Sequence, residues 1–256
     1  MFLAIDVGNS NIVFAIFNEE NQTWTNHFRV DTEPDSLQGQ LTKKVPLYFL
    51  EHGLSPQDIE KIGISSVVPH INPILQAYCQ SFFGTDPYLI TSQSYAKLPV
   101  KTIRPNEIGT DLMCNVLGAW DRFRQATIVV DFGTALTFTV IDDSGQVLGV
   151  SIVPGLKTAI RSLSSNTAKL PQVDLKLPES AIGKNTVHAI QAGILFGYSG
   201  LVKEMIQIIT EETKLSFKVI ATGGLSEILT NLEGVFDESD KNLTLQGLRL
   251  MTLAND

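Results

Sequence analysis

Two stretches of the chain indicate its architecture, because they repeat one pattern at matched places. Residues 2–17 have the sequence FLAIDVGNSNIVFAIF, and residues 126–141 have the sequence ATIVVDFGTALTFTVI. Each stretch has an apolar β-rich run, then Asp-x-Gly with a nearby Ser or Thr, and then a second β-rich run. The two copies lie about half the chain length apart, so the sequence predicts two similar lobes.

The segments after these two stretches indicate the fold class. A polar turn follows each copy and leads to a third β-rich run, at residues 23–30 and 147–153. Such turns favour hairpins, so we expect each lobe to open with a three-stranded antiparallel meander. Alternating patterns follow and predict an α/β protein with two mixed sheets. The predicted helices are 37–50, 72–82, 106–123, 188–210, 225–231 and 243–253, and the further strands are 61–68, 87–91 and 217–221. We expect an N-terminal lobe at 1–118 and a C-terminal lobe at 119–256.

Composition excludes several classes of function. The chain has 256 residues and a net charge of −8, which disfavours nucleic-acid binding because phosphate neutralisation needs clustered Lys and Arg. Cys79 and Cys114 lack the spacing of a metal site, so we expect reduced thiols in a cytoplasmic protein. No run of about 18 apolar uncharged residues is present, and the N-terminus lacks a basic leader, so no membrane segment is expected.

The two Asp-x-Gly turns have the chemistry of phosphate loops. Glycine allows close backbone approach, and consecutive N–H groups in a turn bind anions. The side chains of Asn9, Ser10 and Thr134 can donate further hydrogen bonds, while Asp6 and Asp131 can hold a cation that offsets phosphate charge. A plain hairpin explains either turn alone. Two matched turns, facing each other, would hold a polyphosphate from both sides, which is typical of actin-like ATPases and sugar kinases.

A third glycine-rich turn fits a nucleotide site. Thr222, Gly223 and Gly224 follow an apolar strand, and glycines there would let a base or ribose lie against the backbone. The alternative is an ordinary strand-to-helix turn. Residues 183–186, with the sequence GKNT, are similar to the end of a P-loop, but the upstream glycine and a leading strand are missing.

Several motifs in a fixed order indicate a family. They are DVGNSN (6–11), SSVVP (65–69), EIGTD (107–111), DFGTALTF (131–138), PGL (154–156), NTAKLP (166–171), IGKNT (182–186), ATGG (221–224) and LQGLRL (245–250). With these motifs the chain resembles the type III pantothenate kinases over nearly its whole length. The resemblance implies an actin-like ATPase fold, a cytoplasmic homodimer and ATP-dependent conversion of pantothenate to 4'-phosphopantothenate, which is the first step of coenzyme A biosynthesis.

The resemblance also implies roles for individual residues. Asp111 would be the general base that takes the proton from the pantothenate hydroxyl, and Asp131 would bind a monovalent cation, K⁺ or NH₄⁺. Asp6 would lie near Mg²⁺. The residues expected to contact ATP are Asp6, Val7, Gly8, Asn9, Ser10, Asn11, Ile12, Val13, Gly133, Thr134, Thr222, Gly223 and Gly224. Those expected to contact pantothenate are Gly109, Thr110, Asp111, Leu112 and Thr186.

Two positions depart from the family pattern. Leu112 stands where the family usually has Arg after the catalytic Asp, and Thr102 stands where it usually has Tyr. An Arg would bind a carboxylate with two charge-assisted hydrogen bonds, and losing it costs about 2–4 kcal/mol. Asp111 could also serve only as a helix cap. The alternatives are therefore a kinase of this fold with another acceptor, and a catalytically degenerate nucleotide-binding paralogue with a regulatory role.

Overall fold

The computed structural model describes residues 1–226, 228–232 and 234–256, with the backbone alone described for Asn26 and Thr230. By its internal contacts the chain divides into two units. Unit 1 contains Met1–Gly118 and Asn242–Asp256, and unit 2 contains Ala119–Lys241.

The elements alternate as an α/β chain should. In chain order the strands are β1 (Phe2–Val7), β2 (Asn11–Asn18), β3 (Thr23–Asp31), β4 (Lys61–Ser66), β5 (Tyr88–Leu89), β6 (Lys101–Thr102), β7 (Thr127–Phe132), β8 (Ala135–Ile141), β9 (Gln146–Pro154), β10 (Lys218–Thr222) and β11 (Glu238–Ser239). The helices are α1 (Pro34–Glu51), α2 (Asn72–Phe83), α3 (Thr110–Phe123), α4 (Leu156–Ser165), α5 (Thr186–Thr213) and α6 (Leu243–Ala254).

Unit 1 is built on a sheet with the order β3-β2-β1-β4-β5. The first three strands are antiparallel neighbours, whereas β4 runs parallel to β1 on its other side. Side chains alternate between the two faces of a strand. Leu3, Ile5 and Val7 therefore pack on one side, in a core shared with α1 and α2. Asp6 lies on the opposite face of β1, which is the face that bears Ala4 and, in register on β4, Gly63.

The backbones of α3 and α6 approach each other closely in unit 1. A Cβ atom on Gly247 of α6 would lie 1.7 Å from the carbonyl oxygen of Cys114, and one on Gly118 of α3 would lie 2.7 Å from that of Leu243. Beside this contact the hydroxyl of Thr244 donates a hydrogen bond of 2.7 Å to Asn115 Oδ1. Only glycine fits at residues 118 and 247, so these contacts fix how α3 and α6 pack against each other.

The placement of α6 corrects the predicted domain division. The sequence assigned the terminal helix to the C-terminal lobe at 119–256, whereas α6 packs in unit 1. Besides α3, it contacts β4, where a Cβ on Gly63 would lie within 2.3 Å of Thr252 Oγ1. The physical reason is that these glycines create a close-fitting site for the helix, which the order of the segments along the chain does not reveal.

Unit 2 repeats the strand arrangement of unit 1. Strands β7, β8 and β9 are antiparallel neighbours, and β10 and β11 lie parallel on the other side of β7, in the order β11-β10-β7-β8-β9. The core on one face combines side chains of the sheet, such as Val130 and Phe138, with Leu195 and Val202 of α5. The predicted α/β class with two mixed sheets is confirmed.

Some predicted elements differ from the structure. The helix predicted at 106–123 begins only at Thr110, because the preceding residues form a turn. The helix predicted at 225–231 is absent from the described residues of that segment, which form turns before a 3₁₀ helix (Thr230–Leu232); Glu227 lies outside the described residues. Helix α4 was not predicted, because its sequence LKTAIRSLSS is mostly polar and buries only Leu156 and Ile160.

Helix α5 is long and apolar enough, by length and composition alone, to cross a membrane. The sequence prediction had found no such segment. Three of its side chains, Leu195, Val202 and Ile209, are buried in the core of unit 2. A core helix of a soluble protein passes the same length and composition test, so this finding is weak support for a membrane span.

The contact between α3 and α6 predicts opposite effects for two glycine substitutions. We expect Gly247→Ala to lower the free energy of unfolding by about 3 kcal/mol or more, because its methyl group overlaps the Cys114 carbonyl. Gly39→Ala is the matched control on α1, where a Cβ meets nothing within 4 Å. It should raise stability by about 0.5–1 kcal/mol. Urea denaturation of both variants measures this difference, and equal effects would contradict the packing described.

Candidate active site

The candidate phosphate loop of unit 1 (residues 6–11) is hydrogen-bonded to Thr32, the residue that follows β3. The Gly8 N–H donates to the Asn11 carbonyl at 3.0 Å, which closes the turn. The hydroxyl of Thr32 donates to the Gly8 carbonyl at 2.8 Å, and its N–H donates to the Ser10 carbonyl at 3.2 Å. Asn9, Ser10 and Asn11 are exposed. The loop is therefore fixed through its carbonyls and presents polar side chains to solvent.

Asp6 occupies the centre of the unit 1 sheet. It is half-buried and lies in register with Val13 of β2 and Ser65 of β4. It is the one charged residue of β1, whose other members are apolar. Its carboxylate is therefore placed by the two flanking strands at the start of the phosphate loop, where it can offset the charge of a metal-bound phosphate.

Asp111 lies in the first turn of α3. The N–H of Leu112 donates to Asp111 Oδ1 at 2.8 Å, and a Cβ on Gly109 would lie 2.4 Å from the same oxygen. Glycine at position 109 therefore leaves the space that the carboxylate occupies. Thr110, the first residue of α3, accepts a hydrogen bond of 3.0 Å from the Ser66 N–H through its hydroxyl. Residues 109–112 thus form one structural group around the Asp111 carboxylate.

The electrostatic environment of Asp111 suits a proton acceptor. Burial raises the pKa of Asp111 above its usual value, and hydrogen bonds from backbone N–H groups oppose that rise. Burial also raises the pKa values of Tyr95 and Cys114, and the charge of Asp111 raises both further. A carboxylate in such surroundings binds a proton more readily than an exposed one, which is a property of general bases.

The candidate phosphate loop of unit 2 (residues 131–134) begins at Asp131. This half-buried residue lies in register between Thr137 of β8 and Thr222 of β10. The hydroxyl oxygens of both threonines are buried and have no hydrogen-bond partner. Residues in register share one face of a sheet, so a carboxylate and two hydroxyls meet here. Oxygen ligands of this kind fit a hard cation. Within the described residues, no group of three or more His, Cys, Asp or Glu could hold a metal.

Two glycines support this second loop. A Cβ on Gly155, before α4, would lie 2.3 Å from the Gly133 carbonyl oxygen, and the Gly155 N–H donates to Thr134 at 3.0 Å. Gly223 has a φ of +91°, and its Cβ would lie 2.6 Å from Asp131 Oδ1. The positive φ and the close approach both require glycine. The turn at 222–224 thus packs directly against Asp131.

Thr186 is the first residue of α5. The side chain of Asn185 caps this helix by accepting a hydrogen bond of 2.9 Å from the His188 N–H. Thr186 is exposed, and the residues before it form bends without a strand, which agrees with the exclusion of a P-loop.

Sequence reasoning missed several residues around Asp111 and Asp131. The motif SSVVP included Ser65 without assigning it a role, and PGL included Gly155 in the same way. The sequence does not indicate a role for Tyr95 or Cys114, because a lone Tyr in a turn and an apolar Cys in a helix are ordinary. Cys114 is near Asp111 because it lies three residues further along α3, whereas the proximity of Tyr95 to Asp111 depends on tertiary packing.

Comparison with known proteins supports one assignment. The family model described as "Type III pantothenate kinase" matches residues 2–208. A type III pantothenate kinase of Citrifermentans bemidjiense is 38% identical over 255 residues, which cover 100% of both chains. One of Syntrophobacter fumaroxidans is 36% identical over 252 residues, which cover 98% of this chain and 97% of that protein. This chain belongs to the type III pantothenate kinase family.

Solved structures agree on the fold of this type III pantothenate kinase family member. A structure described as a "conserved putative Baf family transcriptional activator" from Campylobacter jejuni has a TM-score of 0.61 and 22% identity, covering 99% of this chain and 98% of that chain. The inorganic polyphosphate/ATP-glucomannokinase of Arthrobacter sp. strain KM has a TM-score of 0.51 and 14% identity, covering 100% and 99%. At these identities the likeness shows the fold alone, which is the actin-like ATPase and sugar kinase fold.

Because burial raises the folded-state pKa of Asp111, we expect its charged form to lower the free energy of unfolding. Its protonated form does not carry this cost, so Asp111 favours folding at low pH and this contribution is lost as pH rises through the raised pKa. We therefore expect Asp111→Asn, which keeps an acceptor for the Leu112 N–H, to be more stable than wild type at neutral pH. This gain should shrink as pH falls through the raised pKa. Urea denaturation over a pH series measures it.

A control with the opposite sign is Asp237→Asn. A hydrogen bond from Lys218 lowers the pKa of Asp237, so its contribution to stability is present at neutral pH and lost as pH falls through the lowered pKa. Its substitution should reduce stability at neutral pH. A neutral-pH loss of stability in Asp111→Asn as well would contradict the account of Asp111.

Proposed function

We propose that this protein transfers the γ-phosphoryl group of ATP to pantothenate and forms 4'-phosphopantothenate, in the first step of coenzyme A biosynthesis. The observation that most supports the proposal is the carboxylate of Asp111, whose pKa is raised by burial beside Gly109 and whose Oδ1 is oriented by the Leu112 N–H. Full-length relatives with the same family name support the choice of acceptor.

The reaction needs one base and a charged phosphate site. The pantothenate hydroxyl oxygen bonds to the γ-phosphorus while the bond from that phosphorus to the β–γ bridging oxygen breaks, and ADP leaves. Asp111 takes the hydroxyl proton and later passes it to solvent. Phosphoryl transfer depends mainly on positioning and on neutralisation of charge, so a single oriented carboxylate is sufficient as the base.

The two candidate phosphate loops and the glycine turn each have groups that suit a nucleotide. Backbone N–H groups and small polar side chains there suit phosphate oxygens. We assign ATP contacts to Asp6, Val7, Gly8, Asn9, Ser10, Asn11, Ile12, Val13, Gly133, Thr134, Thr222, Gly223 and Gly224. Asp6 would hold Mg²⁺, directly or through water, and the ion would supply charge neutralisation at the phosphates.

The acceptor site is assigned to Gly109, Thr110, Asp111, Leu112 and Thr186. Leu112 gives it a distinct character, because an apolar side chain follows the catalytic Asp where the family usually has Arg. The carboxylate of pantothenate therefore lacks that bidentate partner, and we expect a pantothenate KM above that of enzymes with Arg. The protein would act as a cytoplasmic homodimer.

Asp131 is assigned to a monovalent cation, K⁺ or NH₄⁺. The unpartnered hydroxyl oxygens of Thr137 and Thr222, in register on either side of it, fit this role. A single carboxylate with neutral oxygens suits an ion of low charge better than a site of several carboxylates would.

The direct test is ADP release from the purified protein with ATP, Mg²⁺ and K⁺, with and without pantothenate. We expect pantothenate-dependent turnover that Asp111→Asn lowers by at least about 100-fold, because the base is lost. Turnover stimulated only by another alcohol would indicate a different acceptor. ATP binding without turnover under any condition would indicate a regulatory paralogue. Each of these two results would contradict the assignment of pantothenate as the acceptor.

The cation assignment predicts that Asp131→Asn loses the response to K⁺. In the wild type, K⁺ should raise both the rate and the midpoint of thermal unfolding, since a bound ion stabilises the folded state. The matched control is Asp174→Asn, an exposed carboxylate of the same unit, which should keep both responses. A K⁺-dependent rise in the unfolding midpoint of Asp131→Asn equal to that of wild type would exclude this ligand.

A further inference from the structure

A buried serine, Ser65, is next to Asp6 in the sheet and contacts the helix that carries Asp111. Ser65 is fully buried at the end of β4, and in the register of the parallel sheet it is the neighbour of Asp6 on β1. Neighbours in register present their side chains on the same face. A buried hydroxyl lowers stability unless it is hydrogen-bonded, so the partners of Ser65 define its role.

The hydrogen-bond partner of Ser65 lies on α3. Ser65 Oγ is 3.0 Å from Thr110 Oγ1, and Thr110 directly precedes Asp111. This fully buried hydroxyl therefore contacts the helix immediately before the base.

The Thr110 hydroxyl is at the centre of this group. It accepts a hydrogen bond of 3.0 Å from the Ser66 N–H, and it shares a second one, also of 3.0 Å, with Ser65 Oγ, where either hydroxyl can be the donor. A hydroxyl has one proton and two acceptor lone pairs, so Thr110 can make both bonds at once. These two bonds join the end of β4 to the first turn of α3.

Helix α6 fixes the same turn from another direction. Gly247 brings its backbone against the carbonyl oxygen of Cys114, so that α3 has no space to move toward α6. Ser65 Oγ and the Ser66 N–H supply the corresponding links to the sheet through the side chain of Thr110. The helix that carries Asp111 is therefore held both by α6 and by the end of β4.

We propose that Ser65 is a positioning residue for the reaction: its hydroxyl holds the first turn of α3 against β4 and so places the Asp111 carboxylate relative to the phosphate loop at Asp6. This inference rests on the proposed function, in which Asp111 is the base. Ser65 contacts neither substrate in this role, and it acts through Thr110. Loss of its hydroxyl should affect the chemical step and leave ATP binding intact.

The test is Ser65→Ala, measured by steady-state kinetics with pantothenate and ATP. We expect kcat to fall by roughly 10- to 100-fold with the KM for ATP changed less than about twofold, because a misplaced base slows the transfer step alone. Ser65→Thr, which restores a hydroxyl, should recover part of the lost kcat. The matched control is Ser199→Ala, which deletes another buried hydroxyl with two hydrogen bonds, to Leu195 and Asn231. It should leave kcat unchanged.

Thr110→Val provides an independent variant if Ser65→Ala does not fold. It keeps the shape of the side chain and removes the same link from the helix side, together with the acceptor of the Ser66 N–H, so it should lower kcat at least as much as Ser65→Ala does. The double variant should lose no more kcat than Thr110→Val alone, because Thr110→Val already breaks the link that Ser65→Ala breaks. Full wild-type kcat in either folded single variant would overturn the proposal, and so would multiplied losses in the double variant.

The result also separates this inference from the proposed function. If Asp111→Asn is inactive while Ser65→Ala has the kcat of wild type, the positioning role fails and the base assignment stands. If Asp111→Asn keeps its activity, the base assignment fails first. If Ser199→Ala lowers kcat as much as Ser65→Ala does, the effect of Ser65 on kcat is a general effect on stability, and the proposal is overturned.

Discussion

The contact between the backbones of α3 and α6 is the constraint on which the rest of unit 1 depends. Gly118 and Gly247 allow each helix to touch a carbonyl of the other, and the same α6 packs on Gly63 of β4. Because α3 carries Asp111 in its first turn, a contact made by the last segment of the chain fixes the position of the candidate base. The C-terminal helix therefore helps to fix the position of the candidate active-site residue Asp111.

Burial gives Asp111 its chemistry and also lowers the stability of the protein. Its raised pKa makes it a better proton acceptor, yet a charged carboxylate in that position disfavours folding at neutral pH. The polar groups around it limit the cost. The Leu112 N–H binds the carboxylate directly, while the hydroxyls of Ser65 and Thr110 satisfy each other nearby. Unit 2 has the opposite arrangement, in which Thr137 and Thr222 have unpartnered hydroxyls beside Asp131. Oxygens of this kind suit a bound cation.

The sequence predicted the features that depend on local pattern. The two Asp-x-Gly stretches indicated two units with antiparallel strands at the start of each, and the turns at Asp6 and Asp131 follow from the same pattern. The motifs also predicted the family, which the comparisons confirm. Features that depend on contacts distant in sequence were missed. The placement of α6 in unit 1 required knowledge of where Gly247 packs, and the link from Ser65 to α3 joins segments that no periodicity connects. Helix α4 was missed because its polar sequence buries little surface.

Phosphorus NMR of the reaction mixture can follow the transfer of phosphate to pantothenate and its dependence on Asp111. If the protein phosphorylates pantothenate with Asp111 as the base, one new phosphomonoester signal will grow in equal amount with ADP, require pantothenate, and be absent with Asp111→Asn. Formation of ADP with inorganic phosphate alone, or an unchanged product signal in Asp111→Asn, would contradict this mechanism.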